Sequence, residues 1–259
     1  MTSHISYELR GRVAYITIER PERLNALGLQ TMSELADAFL EASDSASAQV
    51  IVLTAAGERA FCAGLDLKEA DELARAGKSF PQPMRGRDRN LFELILEAPK
   101  PTIAAINGDA VGGGCEIALA CDLRVAADHA RIGMPEAKRG MGANFGSVLL
   151  PRLMPRAIAL EMLYTGRLIT AEEAQQHGLL NRRFPAAEFR AEVSQYAAAI
   201  AENAPLTLQR YKHMTLKGWG LPVHAALRLD VGPNPYTSED RIEGVRAFVE
   251  KRTPKWQGR

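Results

Sequence analysis

Apolar and polar positions change period along this chain, and the changes divide it into elements. Residues 13–18, rich in β-branched and aromatic side chains, end at Glu19-Arg20-Pro21, where proline stops a ladder; they predict a first strand. Leu29, Met32, Leu35, Ala36, Phe39 and Leu40 recur at helical spacing, and residues 49–54 then form a short continuous apolar strand. A buried strand after a helix predicts a parallel βαβ crossover. Residues 57–68 read as a turn, and the polar segment 69–89, with Gly77, Pro81, Pro83 and Gly86, reads as a loop that could close as a lid or simply cross the surface. Residues 91–97 predict a helix stopped by Pro99, and residues 102–106 and 123–127 predict further strands.

Past Gly146 the strand signal disappears. Helical patterns cover residues 147–165, 170–177, 188–202, 206–217 and 237–251, with capping boxes expected from Thr170 to Glu173 and from Thr237 to Asp240. The pattern therefore predicts an α/β body to about residue 200, favouring a doubly wound parallel sheet, followed by a helical extension over residues 201–259.

The stretch from Ala105 to Asp122 breaks this regularity. An apolar strand runs through a turn into Gly112-Gly113-Gly114 and then a helix that is apolar almost all round, apart from Glu116. A carboxylate is rarely buried without a partner or a purpose. Glycines weaken a helix start, so close packing or a backbone function must require them. The free amides of a first helical turn suit an anion or a developing oxyanion. Glu136, after Pro135, is a second carboxylate of interest only if the fold brings it to Glu116; two such groups in an apolar site separate into one acid and one base.

Composition narrows the chemistry. With 32 basic and 31 acidic residues the formal net charge is +1, so no global field selects nucleic acid or an anionic membrane. No stretch reaches the roughly 18 apolar residues of a membrane span, and residues 1–9 lack the pattern of a signal peptide, so a soluble, cytoplasmic protein is expected. Cys62, Cys115 and Cys121 form no C-x-x-C pair and read as buried free thiols. There is no G-x-G-x-x-G, no P-loop, no G-x-S-x-G and no H-E-x-x-H, which disfavours nucleotide, nucleophilic-serine and zinc chemistry; no metal site is expected.

Several segments together resemble one family. They are Arg20-Pro21 with Asn25-Ala26-Leu27, the stretch from Ala60 to Glu69, Asn107-Gly108 through Glu116 to Asp122, and Met134-Pro135-Glu136. Tyr164 to Arg167, Glu173-Ala174 with Gly178-Leu179, and the run from Glu239 to Arg252 continue the likeness to the crotonase, or enoyl-CoA hydratase/isomerase, superfamily. The resemblance replaces the doubly wound sheet with an α/β spiral of repeated ββα turns. A core over residues 1–200 would hold the catalytic and CoA sites, and residues 201–259 would form a helical oligomerisation region giving a homotrimer or a dimer of trimers.

For chemistry, the resemblance implies an acyl-CoA thioester whose carbonyl oxygen accepts from the backbone amides of Leu65 and Gly113. Glutamates at both positions resemble a trans-2-enoyl-CoA hydratase: Glu116 would activate water and Glu136 would deliver the α-proton. Coenzyme A is part of the substrate, with no further cofactor. Its contacts are expected at Ala63, Asp66, Lys68, Phe248 and Lys251, with Arg23 a further phosphate candidate. Solvated surface charge is the plainer reading of Lys68 and Arg23. The chain departs from the family at Ala143-Asn144-Phe145-Gly146-Ser147, where a glycine-rich loop is usual, so Asn144 and Phe145 are expected to reshape the acyl pocket. An isomerase, a specialised hydroxyacyl-CoA dehydratase, a thioester hydrolase, or a non-catalytic or RNA-binding relative are the alternatives.

Overall fold

From residue 50 to residue 133 the chain repeatedly lays down one long strand and then one short strand in a different sheet. In the computed structural model, which describes residues 3–78 and 89–259, the strands are β1 (Ile5–Arg10), β2 (Val13–Ile18), β3 (Val50–Ala55), β4 (Ala60–Cys62), β5 (Thr102–Ile106), β6 (Asp109–Val111), β7 (Leu123–Ala127), β8 (Arg131–Gly133), β9 (Leu168–Thr170) and β10 (Arg182–Phe184). One sheet runs β1-β2-β3-β5-β7-β10 and the other β4-β6-β8-β9. Pairing is parallel except between β1 and β2 and between β8 and β9.

Helices fill the connections: α1 (Leu29–Asp44), α2 (Leu67–Arg75), α3 (Leu91–Glu97), α4 (Gly113–Ala120), α5 (Gly146–Leu153), α6 (Arg156–Thr165), α7 (Ala171–Gln176), α8 (Phe189–Ala201), α9 (Pro205–Gly218), α10 (Val223–Ala226) and α11 (Glu239–Glu250). The order β5-β6-α4 is one complete ββα turn of the spiral, and β7 and β8 begin the next. This two-sheet arrangement corrects the doubly wound expectation drawn from pattern. β4, β6, β8 and β9 are each three residues long, too short for a period-2 signal.

The long sheet separates two cores because its side chains alternate. Ile16, Ile18, Ile51, Leu53 and Ile106 face one, with α1, α3 and α4; Val13, Val50, Val52, Ile103 and Val125 face the other. Helix α8 covers that second face with Phe189, Val193, Ala197 and Ala201, one apolar residue every fourth position.

Three other expectations change. Strands β9 and β10 lie beyond Gly146, where no strand pattern was expected. The helix expected over 147–165 is two helices, broken at Met154-Pro155. Thr170 caps α7 as expected, but Ser238, not Thr237, caps α11, and Asp240 instead accepts from the amides of Gln257 and Gly258. The proposed lid segment begins as α2, and its residues 79–88 lie outside the described residues. No helix among the described residues is long and apolar enough to cross a membrane.

Candidate active site

Three parallel strands of the short sheet, β4, β6 and β8, lie side by side, and a chemically important segment leaves the carboxyl end of each. Ala63-Gly64-Leu65 follows β4, Gly112 to Glu116 follows β6, and Met134-Pro135-Glu136 follows β8. Parallel strands thus bring residues some fifty positions apart to one edge of a sheet. Carboxyl ends of parallel strands are where open α/β sheets bind ligands. Here they form a cavity of about 300 Å³ whose lining includes Ala63, Leu65, Gly113, Glu116 and Glu136.

The glycines have separate causes. A Cβ on Gly114 would sit 2.0 Å from the Cys62 carbonyl oxygen, so the close seating of α4 on β4 excludes any side chain there. Gly64 has φ +88°, and a Cβ on it would lie 2.7 Å from the Val111 oxygen and 3.1 Å from the Gly113 nitrogen. That contact brings the two backbone segments together. The Leu65 nitrogen lies 3.7 Å from the position a Cβ on Gly113 would take, and neither amide meets an acceptor among the described residues. Gly113 is the first residue of α4, where amides lack intrahelical partners. Two such donors side by side suit an oxygen that gains negative charge during reaction.

Glu116 is buried in the first turn of α4, and its Oε1 accepts from the amides of Gly146, at 2.8 Å, and Phe145, at 3.1 Å. Burial raises its pKa to about 7; the Gly146 and Phe145 amides oppose that rise and the neighbouring Glu136 adds to it. Glu136 sits in the short 3-10 helix Pro135–Arg139, next to the glycine turn: a Cβ on Gly112 would lie 3.0 Å from its Oε1. Burial raises the Glu136 pKa as well, against its own backbone amide and Arg139. Its buried Oε2 has no hydrogen-bond partner among the described residues. The pair therefore combines one carboxylate held by amides with one whose free oxygen can carry a proton, a suitable acid–base couple near neutral pH.

The remaining expected site residues fall elsewhere. Phe145 does not line the cavity; its ring stacks on Phe92 with centroids 5.4 Å apart, and its contribution to the site is the amide on Glu116. Asn144 is likewise absent from the lining. The only residue of that loop to match the family pattern, Gly146, has its Cβ space filled by the end of Met134. Asp66 is not available to a coenzyme. It is buried at the N-cap of α2, accepting from the Lys68 and Glu69 amides and pairing with Arg20 at 3.1 Å and Arg23 at 2.5 Å. Burial pushes the Asp66 pKa up, but Arg23, the Glu69 amide and Arg20 outweigh it and hold the carboxyl below the usual range. Lys68, Phe248 and Lys251 are exposed and outside the cavity lining.

The sequence reading missed Met32, Leu67, Val111, Arg139, Met141 and Gly142, which complete the wall. Arg139 was within reach of the motif, three residues after Glu136; the others come together only in the fold. All three cysteines are buried and free, and burial pushes the Cys62 thiol up to about 12, which removes it as a nucleophile.

Known proteins share this chain's sequence pattern and fold. The sequence profile of the enoyl-CoA hydratase/isomerase family matches residues 8–259. A carnitinyl-CoA dehydratase of Proteus mirabilis is 39% identical over 266 aligned positions, spanning the whole of both chains. Among solved structures, an enoyl-CoA hydratase from Mycobacterium tuberculosis superposes with TM-score 0.89 at 35% identity, covering 100% of both chains. One from Bacillus anthracis superposes with TM-score 0.88 at 34% identity, covering 99% of this chain and 100% of its own. With the profile, the full-length relatives and the two-sheet spiral in agreement, this chain belongs to the crotonase, or enoyl-CoA hydratase/isomerase, superfamily.

Proposed function

We propose that the protein is an enoyl-CoA hydratase, adding water reversibly to a trans-2-enoyl-CoA to give a 3-hydroxyacyl-CoA. The observation that carries this reading is that Glu116 and Glu136 line one cavity with the unpartnered amides of Leu65 and Gly113. The thioester oxygen would accept from both amides. Glu116, ionised against the Phe145 and Gly146 amides, would take a proton from water as the water oxygen bonds to the β-carbon. The electron pair of the double bond would move into an enolate on the thioester oxygen, where fixed donors lower the barrier by about 3–4 kcal/mol each in comparable sites. Collapse of the enolate would take the proton of Glu136 onto the α-carbon. Return of the Glu116 proton to Glu136 restores the pair, and dehydration runs the same steps backwards.

Relatives named carnitinyl-CoA dehydratase favour a second reading within the same chemistry, elimination of water from a specialised 3-hydroxyacyl-CoA. Both readings need the same pair of glutamates and differ in the acyl group. Exposed Ile242, Val245, Phe248 and Val249 on α11 support the accompanying proposal that residues 201–259 associate in a homotrimer or dimer of trimers.

Mass analysis together with proton NMR of the product formed from short and medium enoyl-CoAs tests the function. Gain of one water, with retained thioester, is expected. Release of free CoA would make the protein a hydrolase, and double-bond migration without hydration would make it an isomerase.

A further inference from the structure

The cavity holds three ionisable side chains among its described lining residues: Glu116, Glu136 and Arg139. The two glutamates are used by the reaction. Arg139 is not, and it forms no hydrogen bond or ion pair with any described residue. By contrast, Arg20 and Arg23, on the Asp66 side, are spent on that carboxylate. Arg139 stands on the same short helix as Glu136, three residues on, and its charge is felt at Glu136. Arg139 thus shares one wall of the cavity with Glu136, the group assigned above to the α-carbon. Met32, Val111 and Met141 supply apolar lining to the same cavity. No aromatic ring lines the cavity among the described residues, so they offer a quaternary ammonium no cation–π contact there.

We infer that Arg139 is a specificity-determining residue that pairs with a carboxylate at the far end of the acyl group, making the preferred substrates mono-CoA thioesters of unsaturated dicarboxylic acids. The inference rests on the hydratase reading and narrows its substrate class. A guanidinium can take a carboxylate through two parallel hydrogen bonds, whereas a neutral chain end would leave the cation facing an apolar group. A cationic acyl group would be repelled. Arg139 is itself exposed, so solvent and salt moderate the effect.

The test compares kcat/KM for three thioesters: the mono-CoA thioester of trans-2-hexenedioic acid, trans-2-hexenoyl-CoA, and 4-trimethylammonio-trans-2-butenoyl-CoA. The wild type is expected to favour the anionic over the neutral substrate by about tenfold or more, with the cationic one worst. Arg139→Gln should collapse that ratio, Arg139→Lys should keep part of it, and Arg139→Glu should move the preference toward the cationic substrate. An unchanged ratio in Arg139→Gln overturns the inference. So does an equal loss on all three substrates together with weaker binding of free CoA, which would make Arg139 a coenzyme contact. Should no thioester turn over, the hydratase reading fails by itself. Calorimetry of adipoyl-CoA against hexanoyl-CoA then decides the role of Arg139: tighter adipoyl binding lost in Arg139→Gln supports it, and equal binding contradicts it.

Discussion

Two carboxylate regions flank the same cleft and have opposite electrostatics. Asp66, at the start of α2, is 3% exposed; Glu116, at the start of α4, is 7% exposed. Asp66 is surrounded by two guanidinium groups and two amides and held below the usual carboxylate range, whereas Glu116 has two amides, a nearby second carboxylate and a pKa raised to about 7. Burial alone therefore does not make a carboxylate reactive. Its partners decide: a saturated group fixes structure, and an under-partnered one can exchange a proton at working pH.

The comparison can be broken most severely where the backbone holds it. Gly114→Ala would push a methyl into the Cys62 carbonyl, separating α4 from β4 and displacing Gly113 and Glu116. Overpacking against fixed backbone is expected to cost about 3 kcal/mol or more. Thermal melts should show a drop of several degrees, with turnover falling further than stability alone explains. A variant with wild-type melting and turnover would contradict the close seating.

The two carboxylates should also respond to pH with opposite sign. Asp66 has a folded pKa below its ordinary 3.8, so its stabilisation is fully present above that value and lost as pH falls through the folded pKa. Asp66→Asn should accordingly destabilise the fold by about 2 kcal/mol at pH 7, with the difference shrinking below about pH 4. Glu116 has a folded pKa of about 7 against 4.5 unperturbed, so the folded state binds its proton more tightly and stability declines as pH rises between those values. Relative to wild type, Glu116→Gln should gain on the order of 2–3 kcal/mol between pH 4.5 and pH 8. Urea melts of both variants at the two ends of the range check the signs; parallel pH responses would remove the distinction.

The smallest effect is expected at Leu65. Its contribution is a main-chain amide, so Leu65→Ala should change stability by only about 1 kcal/mol and keep turnover within about tenfold. A hundredfold loss would show that its side chain, not its amide, is what matters.

How much of this was legible in the sequence follows from the same physics. Long strands such as β3 and β5, the α1 stripe and the apolar α4 with its lone carboxylate carry strong periodic signals. The motif at Met134-Pro135-Glu136 identified the second glutamate through resemblance. What joins them, the three-residue strands β4, β6 and β8, leaves no periodic trace, so the meeting of residues 65, 113, 116 and 136 needed the fold. Asp66 shows the converse limit: it lies in a family-like segment, yet its oxygens are taken up by Arg20, Arg23 and the α2 amides. Asn144 and Phe145 were singled out because they depart from the pattern. The loop works mainly through backbone, presenting the Phe145 and Gly146 amides to Glu116 whatever the side chains do.

The central claim is that the under-partnered pair, Glu116 and Glu136, adds water across an enoyl thioester. The most direct measurement follows loss of the conjugated enoyl-thioester absorbance for wild type, Glu116→Gln and Glu136→Gln on the best substrate found. Each replacement is predicted to slow hydration by about 10³-fold or more while the circular dichroism spectrum stays unchanged. Hydration within tenfold of wild type in either folded variant would contradict the account.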